Sequence, residues 1–363
     1  MAIPERDEQK NRAHLTRVVV VDDSPSMRLL LEKMINAESD MRVVGSAPDS
    51  LAARELIRQL QPDVVTLDID MPGMDGLDFL ERLMRLNPLP VLMISSRTEE
   101  GSEYTLRALE LGAVDIICKQ NLGDKGGLSA MAKEVTAKVR LAGINAGQFQ
   151  RHPPLQVVDT GNTPYANLQF DRRKIIFVGA STGGTEAIKQ FVEVLPPNCP
   201  PVLITQHMPE GFTTRFAKRL DDCCAVRVKE AGHQDALQTG WVYIAPGHSH
   251  LTIHRRGDGR YEARLSDAPE VNRHRPSVDV LFHSAADEVG ADALAVLLTG
   301  MGKDGAVGML RMREQGAMTW SQSPESCVVY GMPRAAFELG ASMAVGTPRE
   351  LAEKVLMGAR QKG

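Results

Sequence analysis

The sequence predicts an α/β protein of two domains, each built on a mainly parallel sheet with flanking helices. Three observations carry that prediction. The chain has 363 residues, more than one ordinary core encloses, and length alone suggests about two domains. In both halves, short continuous apolar runs of the kind that form buried parallel strands alternate with stretches whose apolar residues recur at helical spacing. Between the halves, from Gly143 to Phe170, that periodicity stops and Pro, Asn, Gln and Gly take over, as in a linker.

In chain order, RVVVV (Arg17–Val21) is the first strand, and Met27, Leu30, Leu31, Met34 and Ile35 mark the helix after it. MRVVGSA (Met41–Ala47), VVTL (Val64–Leu67), VLMI (Val91–Ile94) and VDIIC (Val114–Cys118) are strands two to five, with helices in the gaps. Five strands alternating with five helices imply a doubly wound parallel sheet.

In the second half, IIFV (Ile175–Val178) and VLIT (Val202–Thr205) are strands, and a helix runs through Phe212–Leu220. WVYIA, HLTIH and YEARL alternate around the turn RGDGR (Arg256–Arg260) and read as an antiparallel hairpin region on a mostly parallel, Rossmann-like sheet. Val278, Leu281, Phe282, Ala285, Ala286 and Val289 keep one helical face, ALAVLLTG (Ala293–Gly300) is a buried strand, and a helix follows Asp304. The expected divisions are an extension over 1–15, a first domain over 16–142, a linker over 143–170 and a second domain over 171–363.

A net charge of only −4 argues against a nucleic-acid binder, which needs a basic face. No apolar run approaches the roughly 20 residues of a membrane span, and MAIPERDEQKNRAHLTR lacks the apolar core of a signal peptide. Five cysteines without a CxxC spacing read as reduced thiols. The expected compartment is the cytoplasm, with no membrane insertion.

Open parallel sheets place their sites where strands end. Asp22 and Asp23 end strand one, Asp68 strand three, Ser95 strand four and Lys119 strand five. Three carboxylates repel one another unless a cation joins them, and oxygen-only ligands suit Mg²⁺. Asp68, on the central strand, is the candidate nucleophile toward phosphorus, with Lys119 and Ser95 placed to hold the new phosphoryl group. Taken singly, each residue has an ordinary reading, Asp22 and Asp23 as helix caps and Lys119 as a surface charge. Five such residues at matching strand ends favour a site.

VGASTGGTE (Val178–Glu186) turns from a strand straight into a helix. It lacks the Lys of a phosphate-binding loop, and Glu186 comes too early for an anion. A hydroxyl at Ser181 would stand where helix N–H groups stabilise an oxyanion, although Ser181 or Thr182 could equally serve as a helix cap. His207 closes VLITQH, and Asp304 follows ALAVLLTGMGK. Serine, histidine and carboxylate at strand ends are what a nucleophile–base–orienter triad needs. His248, His250, His274 and His283 are rival bases, less well placed.

VVVVDDSPSMR, LDIDMPGMDGLDFL and ISSRTEEG resemble a response-regulator receiver domain of flavodoxin-like fold. That resemblance implies phosphorylation at Asp68 by a histidine kinase with Mg²⁺ bound at Asp22, Asp23 and Asp68. Two positions depart from the receiver pattern: Gln120 follows Lys119 where receivers usually carry Pro, and Ile116 stands where many carry a switch aromatic.

GASTGG, QHMP, HRPSVDVLFHSAA, LTGMGKDG and ESCVVYGMP resemble the catalytic domain of the CheB protein-glutamate methylesterases. This implies Ser181 as nucleophile, His207 as base, Asp304 as its orienter and the Met301 N–H as oxyanion donor, with no cofactor for the ester reaction. It implies as substrate the methylated cytoplasmic helices of chemoreceptors, in chemotaxis adaptation, with glutamine deamidation as a second reaction. It further implies that the unphosphorylated receiver packs over the catalytic cleft. A DNA-binding output, a signalling scaffold and a nucleotide-binding second domain are the rival readings; the second half shows neither a helix-turn-helix nor a basic face.

Overall fold

The computed structural model describes residues 15–71, 75–95, 104, 107–108, 111–119, 125–144, 165 and 167–361. The chain divides into two compact units, residues 1–152 and 153–363.

The first unit contains β1 (Thr16–Val21), α1 (Pro25–Asn36), β2 (Met41–Ala47), α2 (Ser50–Leu60), β3 (Val64–Asp68), α3 (Gly76–Leu86), β4 (Val91–Ser95), β5 (Asp115–Cys118) and α4 (Lys125–Ile144). Its sheet runs β2-β1-β3-β4-β5 with every pairing parallel. Val18–Val21 and Val64–Leu67 are buried throughout because helices cover both faces. Strand order reverses between β1 and β3, so their C-terminal ends form the switch-point crevice where such sheets bind ligands. Most of the extension, most of the linker, most of ISSRTEEG, Gln120 and most of the helix expected between β4 and β5 lie outside the described residues.

The second unit contains β6 (Ile175–Ala180), α5 (Gly184–Val192), β7 (Val202–Gln206), α6 (Phe212–Cys223), β8 (Arg227–Glu230), β9 (Asp235–Ala236), β10 (Trp241–Ile244), β11 (His250–Arg255) and β12 (Tyr261–Ser266). It continues with α7 (Val278–Glu288), β13 (Ala293–Leu297), α8 (Ala306–Glu314), β14 (Met318–Gln322), α9 (Met332–Glu338), β15 (Ala344–Gly346) and α10 (Pro348–Ala359). The large sheet runs β15-β14-β13-β6-β7-β10-β8, all parallel. Leu168 and Phe170, within the stretch read as linker, are tied to this unit: the Leu168 carbonyl accepts from Asn198 Nδ2 at 2.9 Å, and Phe170 bridges Arg360.

One expectation is corrected. WVYIA does not belong to the antiparallel region: Trp241–Ile244 pairs in parallel with β7 on one side and β8 on the other. Its run is continuously apolar, and Val242, Tyr243 and Ile244 are buried, which is the pattern of an inner parallel strand rather than of a half-exposed hairpin. HLTIH and YEARL do pair antiparallel, in a separate small sheet with Asp235–Ala236. No helix among the described residues is long and apolar enough to cross a membrane.

Candidate functional site

The first unit gathers its polar residues at the ends of β1, β3, β4 and β5. Lys119 Nζ lies 2.8 Å from both Asp22 Oδ2 and Asp68 Oδ2. Asp22 and Asp68 are buried and Asp23 is exposed, and oxygen atoms of all three carboxylates fall within 4.8 Å of one another. Ser95 is buried beside them, and its carbonyl accepts the Lys119 N–H at 2.7 Å. Neither Asp22 nor Asp23 caps α1. That position belongs to Ser24, whose hydroxyl accepts the Met27 N–H, while Asp22 Oδ1 accepts the Ser24 N–H at 2.9 Å.

Burial pushes the Asp68 carboxyl above its ordinary value; Lys119 opposes this and the Asp22 charge adds to it. Burial also penalises the Lys119 ammonium, but its hydrogen bonds and ion pairs with Asp22 and Asp68 outweigh that and raise it. Three carboxylates against one ammonium leave excess negative charge, and an oxygen-only donor set of this kind fits a hard divalent cation.

The second unit builds its site across β13, β6 and β7. Ala180 and Gln206 are register partners on adjacent strands. Ser181 and His207 therefore leave the sheet side by side, and the His207 N–H donates to the Ala180 carbonyl at 3.1 Å. From the other side, the Ser181 N–H donates to the Thr299 carbonyl at 3.0 Å, just past β13. Ser181 does not cap α5: the cap is Gly183, at φ 75°, with no side-chain capping hydrogen bond. Gly300 allows the loop after β13 to close on the serine, since a Cβ there would stand 2.8 Å from Ser181 Cβ and 2.3 Å from Met332 Sδ. The next N–H, that of Met301, has no hydrogen-bond partner among the described residues.

His207 Nε2 donates to Asp304 Oδ2 at 2.8 Å. Its Nδ1 is buried without a partner among the described residues, so no hydrogen bond joins it to Ser181 Oγ in this conformation. Asp304 is 1% exposed. Burial alone would raise its carboxyl, but the hydrogen bonds from His207, Asn272 and the Val278 N–H together hold it well below the usual carboxylate range.

The rival histidines separate cleanly. Buried His250 uses both ring nitrogens inside the fold, Nδ1 accepting from the Ser277 N–H and Nε2 bonding the Pro269 carbonyl, each at 3.1 Å. His248 bonds Ser249 Oγ at 2.7 Å, and His283 sits within α7. His274 is the one that reaches the site, stacked on His207 with ring centroids 3.7 Å apart.

Sequence reasoning misses three further groups. Gln206 Nε2 holds the Ser181 carbonyl at 2.9 Å, Ser277 Oγ donates to Asp304 Oδ1 at 2.8 Å, and Asn272 Nδ2 donates to the same oxygen at 2.7 Å. Gln206 and Ser277 lie inside the motifs QHMP and HRPS; Asn272 lies in none.

Comparison with known proteins gives this geometry its context. The CheB methylesterase family model matches residues 176–355, and the response regulator receiver domain model matches residues 18–130. Protein-glutamate methylesterase/protein-glutamine glutaminase 1 of Dechloromonas aromatica (strain RCB) is 54% identical over 345 residues, covering 94% of this chain and 97% of that one. The chain belongs to the CheB methylesterase family.

A similarly named protein of Cupriavidus pinatubonensis (strain JMP 134 / LMG 1197), numbered 2, is 52% identical over 341 residues, covering 94% of this chain and 95% of that one. Among solved structures, the Thermotoga maritima CheB methylesterase catalytic domain is 37% identical with a TM-score of 0.50, covering 51% of this chain and 97% of that chain. In this CheB-family chain, an imidazole with one nitrogen committed to a buried carboxylate and the other open, beside a hydroxyl on the next strand, is equipped for nucleophilic acyl transfer.

Proposed function

We propose that this chain is a phosphorylation-regulated protein-glutamate methylesterase, hydrolysing glutamyl methyl esters on the cytoplasmic helices of chemoreceptors during chemotaxis adaptation. The observation that carries the reading is the His207 Nε2–Asp304 Oδ2 bond of 2.8 Å beside Ser181 at the neighbouring strand end.

Ser181 is the nucleophile. Its Oγ attacks the ester carbonyl while His207 Nδ1, the open nitrogen, takes the hydroxyl proton, the two coming into hydrogen-bond contact when substrate binds. Asp304 stabilises the imidazolium. The oxyanion falls to the Met301 N–H and the N-terminal end of α5. Collapse expels methanol, which takes the proton from His207. Water then gives a proton to His207 and attacks the acyl-enzyme, and glutamate leaves as Ser181 regains its proton. A glutamine side chain would follow the same course with ammonia leaving.

In the receiver unit, Asp22, Asp23 and Asp68 would hold Mg²⁺, which neutralises phosphate charge when bound. Asp68 accepts the phosphoryl group from a histidine kinase. Lys119, already paired to Asp68, turns to the new phosphoryl oxygens, and the Ser95 hydroxyl bonds another. The receiver restrains the esterase until Asp68 is modified. We place the protein in the cytoplasm, where kinase and receptor helices meet.

The test is methanol release from a methylated receptor. Ser181→Ala should lower kcat by about 10⁴-fold with KM little changed; near-normal release would reject the assignment.

A further inference from the structure

The turn Val271–His274 lies against the His207–Asp304 pair, and none of the acyl-transfer steps draws on it. Val271 and His274 exchange backbone hydrogen bonds of 3.1 and 3.0 Å. The two residues between them, Asn272 and Arg273, are left-handed, with φ of 54° and 67°. Asn is among the few residues that enter this region at low cost, so its presence at the first position suits the turn.

Its side chain does more than suit the backbone. Asn272 Nδ2 stands 2.7 Å from Asp304 Oδ1 and 2.7 Å from Asp279 Oδ2. One amide nitrogen carries two hydrogens, so each carboxylate receives one. The reverse orientation would press the amide oxygen against two acceptors, so the chemistry fixes which way the amide points. Asp279 is itself buried, with its other oxygen taken by the Gly308 N–H at 2.7 Å. Both of its oxygens are therefore engaged inside the fold.

The remaining donors to Asp304 besides His207 come from the start of α7: Ser277 Oγ, the Val278 N–H at 2.6 Å and the Asp279 N–H at 3.2 Å. Asn272 approaches from a different element, the same turn whose His274 ring stacks on His207. One four-residue turn thus touches both members of the pair, with an amide on the carboxylate and a ring on the imidazole.

We propose that Asn272 is a positioning residue for acyl transfer: it ties Asp304 Oδ1 to the fixed carboxylate of Asp279, so that Oδ2 stays turned to His207 Nε2 and His274 stays seated on the imidazole. A carboxylate rotates about its last bond, and holding one oxygen fixes the other. The inference rests on the esterase reading.

Asn272→Gly tests it, because Gly keeps the left-handed backbone and removes only the amide. On the full-length chain, kcat for methanol release should fall about 10- to 100-fold with KM within about twofold. Labelling of Ser181 by a fluorophosphonate should slow in proportion; there Oγ forms the P–O bond, fluoride leaves and His207 accepts the proton. A turn that served folding alone would lower the unfolding midpoint and leave kcat of the folded protein unchanged. A kcat within about twofold of the parent would therefore overturn the proposal, as would a loss confined to KM. If Asn272→Gly does not fold, Asn272→Ser, which is too short to reach either carboxylate and adds no charge, is judged by the same two thresholds. An unsubstituted chain that neither releases methanol nor takes the label would remove the esterase reading itself; an active parent with an unaffected variant removes only the role of Asn272.

Discussion

His207 gives the hydrogen on Nε2 to Asp304 across 2.8 Å and keeps Nδ1 buried and open. On the proposed reading, the nitrogen that serves the nucleophile is the one nearer the backbone, while the carboxylate holds the outer one. Asp304 also accepts from Asn272, Ser277 and the first N–H groups of α7, so its carboxylate is held from several sides.

Asp304→Asn should lower kcat by about 10⁴-fold, because an amide in that place no longer selects the tautomer with Nδ1 free. It should also destabilise the second unit. The Asp304 carboxyl is held below its ordinary value, so its contribution is present above about pH 4, the unfolded carboxylate value, and fades as pH falls through the folded one. Steady-state kinetics and unfolding curves at pH 7 check both parts; a variant equal to the parent in either would contradict an orienting carboxylate at this position.

Gly300→Ala would insert a methyl group 2.8 Å from Ser181 Cβ and 3.0 Å from Ser181 N. The Met332 side chain is flexible but buried, and the Ser181 backbone is tied to the Thr299 carbonyl. The expected cost is about 1–3 kcal/mol in stability and about 100-fold in kcat, since Ser181 and Met301 would be moved apart. Denaturant unfolding together with methanol release measures the two effects separately.

Asp68→Asn should abolish any stimulation of the esterase by a small phosphodonor with Mg²⁺ while leaving the basal rate. Stability should move the other way from Asp304. Burial raises the Asp68 carboxyl, so the folded state holds that proton more tightly than the unfolded one. Its contribution is then fully present below about pH 4 and is lost as pH rises through the folded value. The variant should accordingly unfold at a higher temperature at pH 7 than the parent without Mg²⁺, and gain less from added Mg²⁺. A lower midpoint at pH 7 would show that the pairing with Lys119 outweighs burial.

A fragment of residues 153–363 should hydrolyse methyl esters without any phosphodonor. The start is set before Leu168 because Leu168 and Phe170 bond Asn198 and Arg360 of the second unit, and a cut at residue 171 would strip them away. A folded fragment without activity would count against simple restraint by the receiver.

Much of the fold is legible along the chain because parallel strands covered on both faces leave continuous apolar runs, as at Val18–Val21, Val64–Leu67 and Ile175–Val178. Residues at the ends of such runs stand out for the same reason, as Ser181, His207, Asp68 and Lys119 do. WVYIA misleads because an apolar run states only that a strand is buried; its neighbours, β7 and β8, lie elsewhere in the sequence. Whether Ser181 caps a helix is likewise open in the sequence, and the folded chain gives that place to Gly183. Asn272 is invisible there, since a polar residue in an irregular loop breaks no pattern.

Local periodicity and side-chain chemistry are written along the chain, and they suffice for the two α/β units, the strand ends and the residue types gathered there. They do not say which nitrogen of His207 meets Asp304, 97 residues away, or that Asn272 bridges two carboxylates; those pairings exist only once the chain has folded. Hydrogen bonds act over about 3 Å, and no local pattern encodes which distant groups folding will bring within that range.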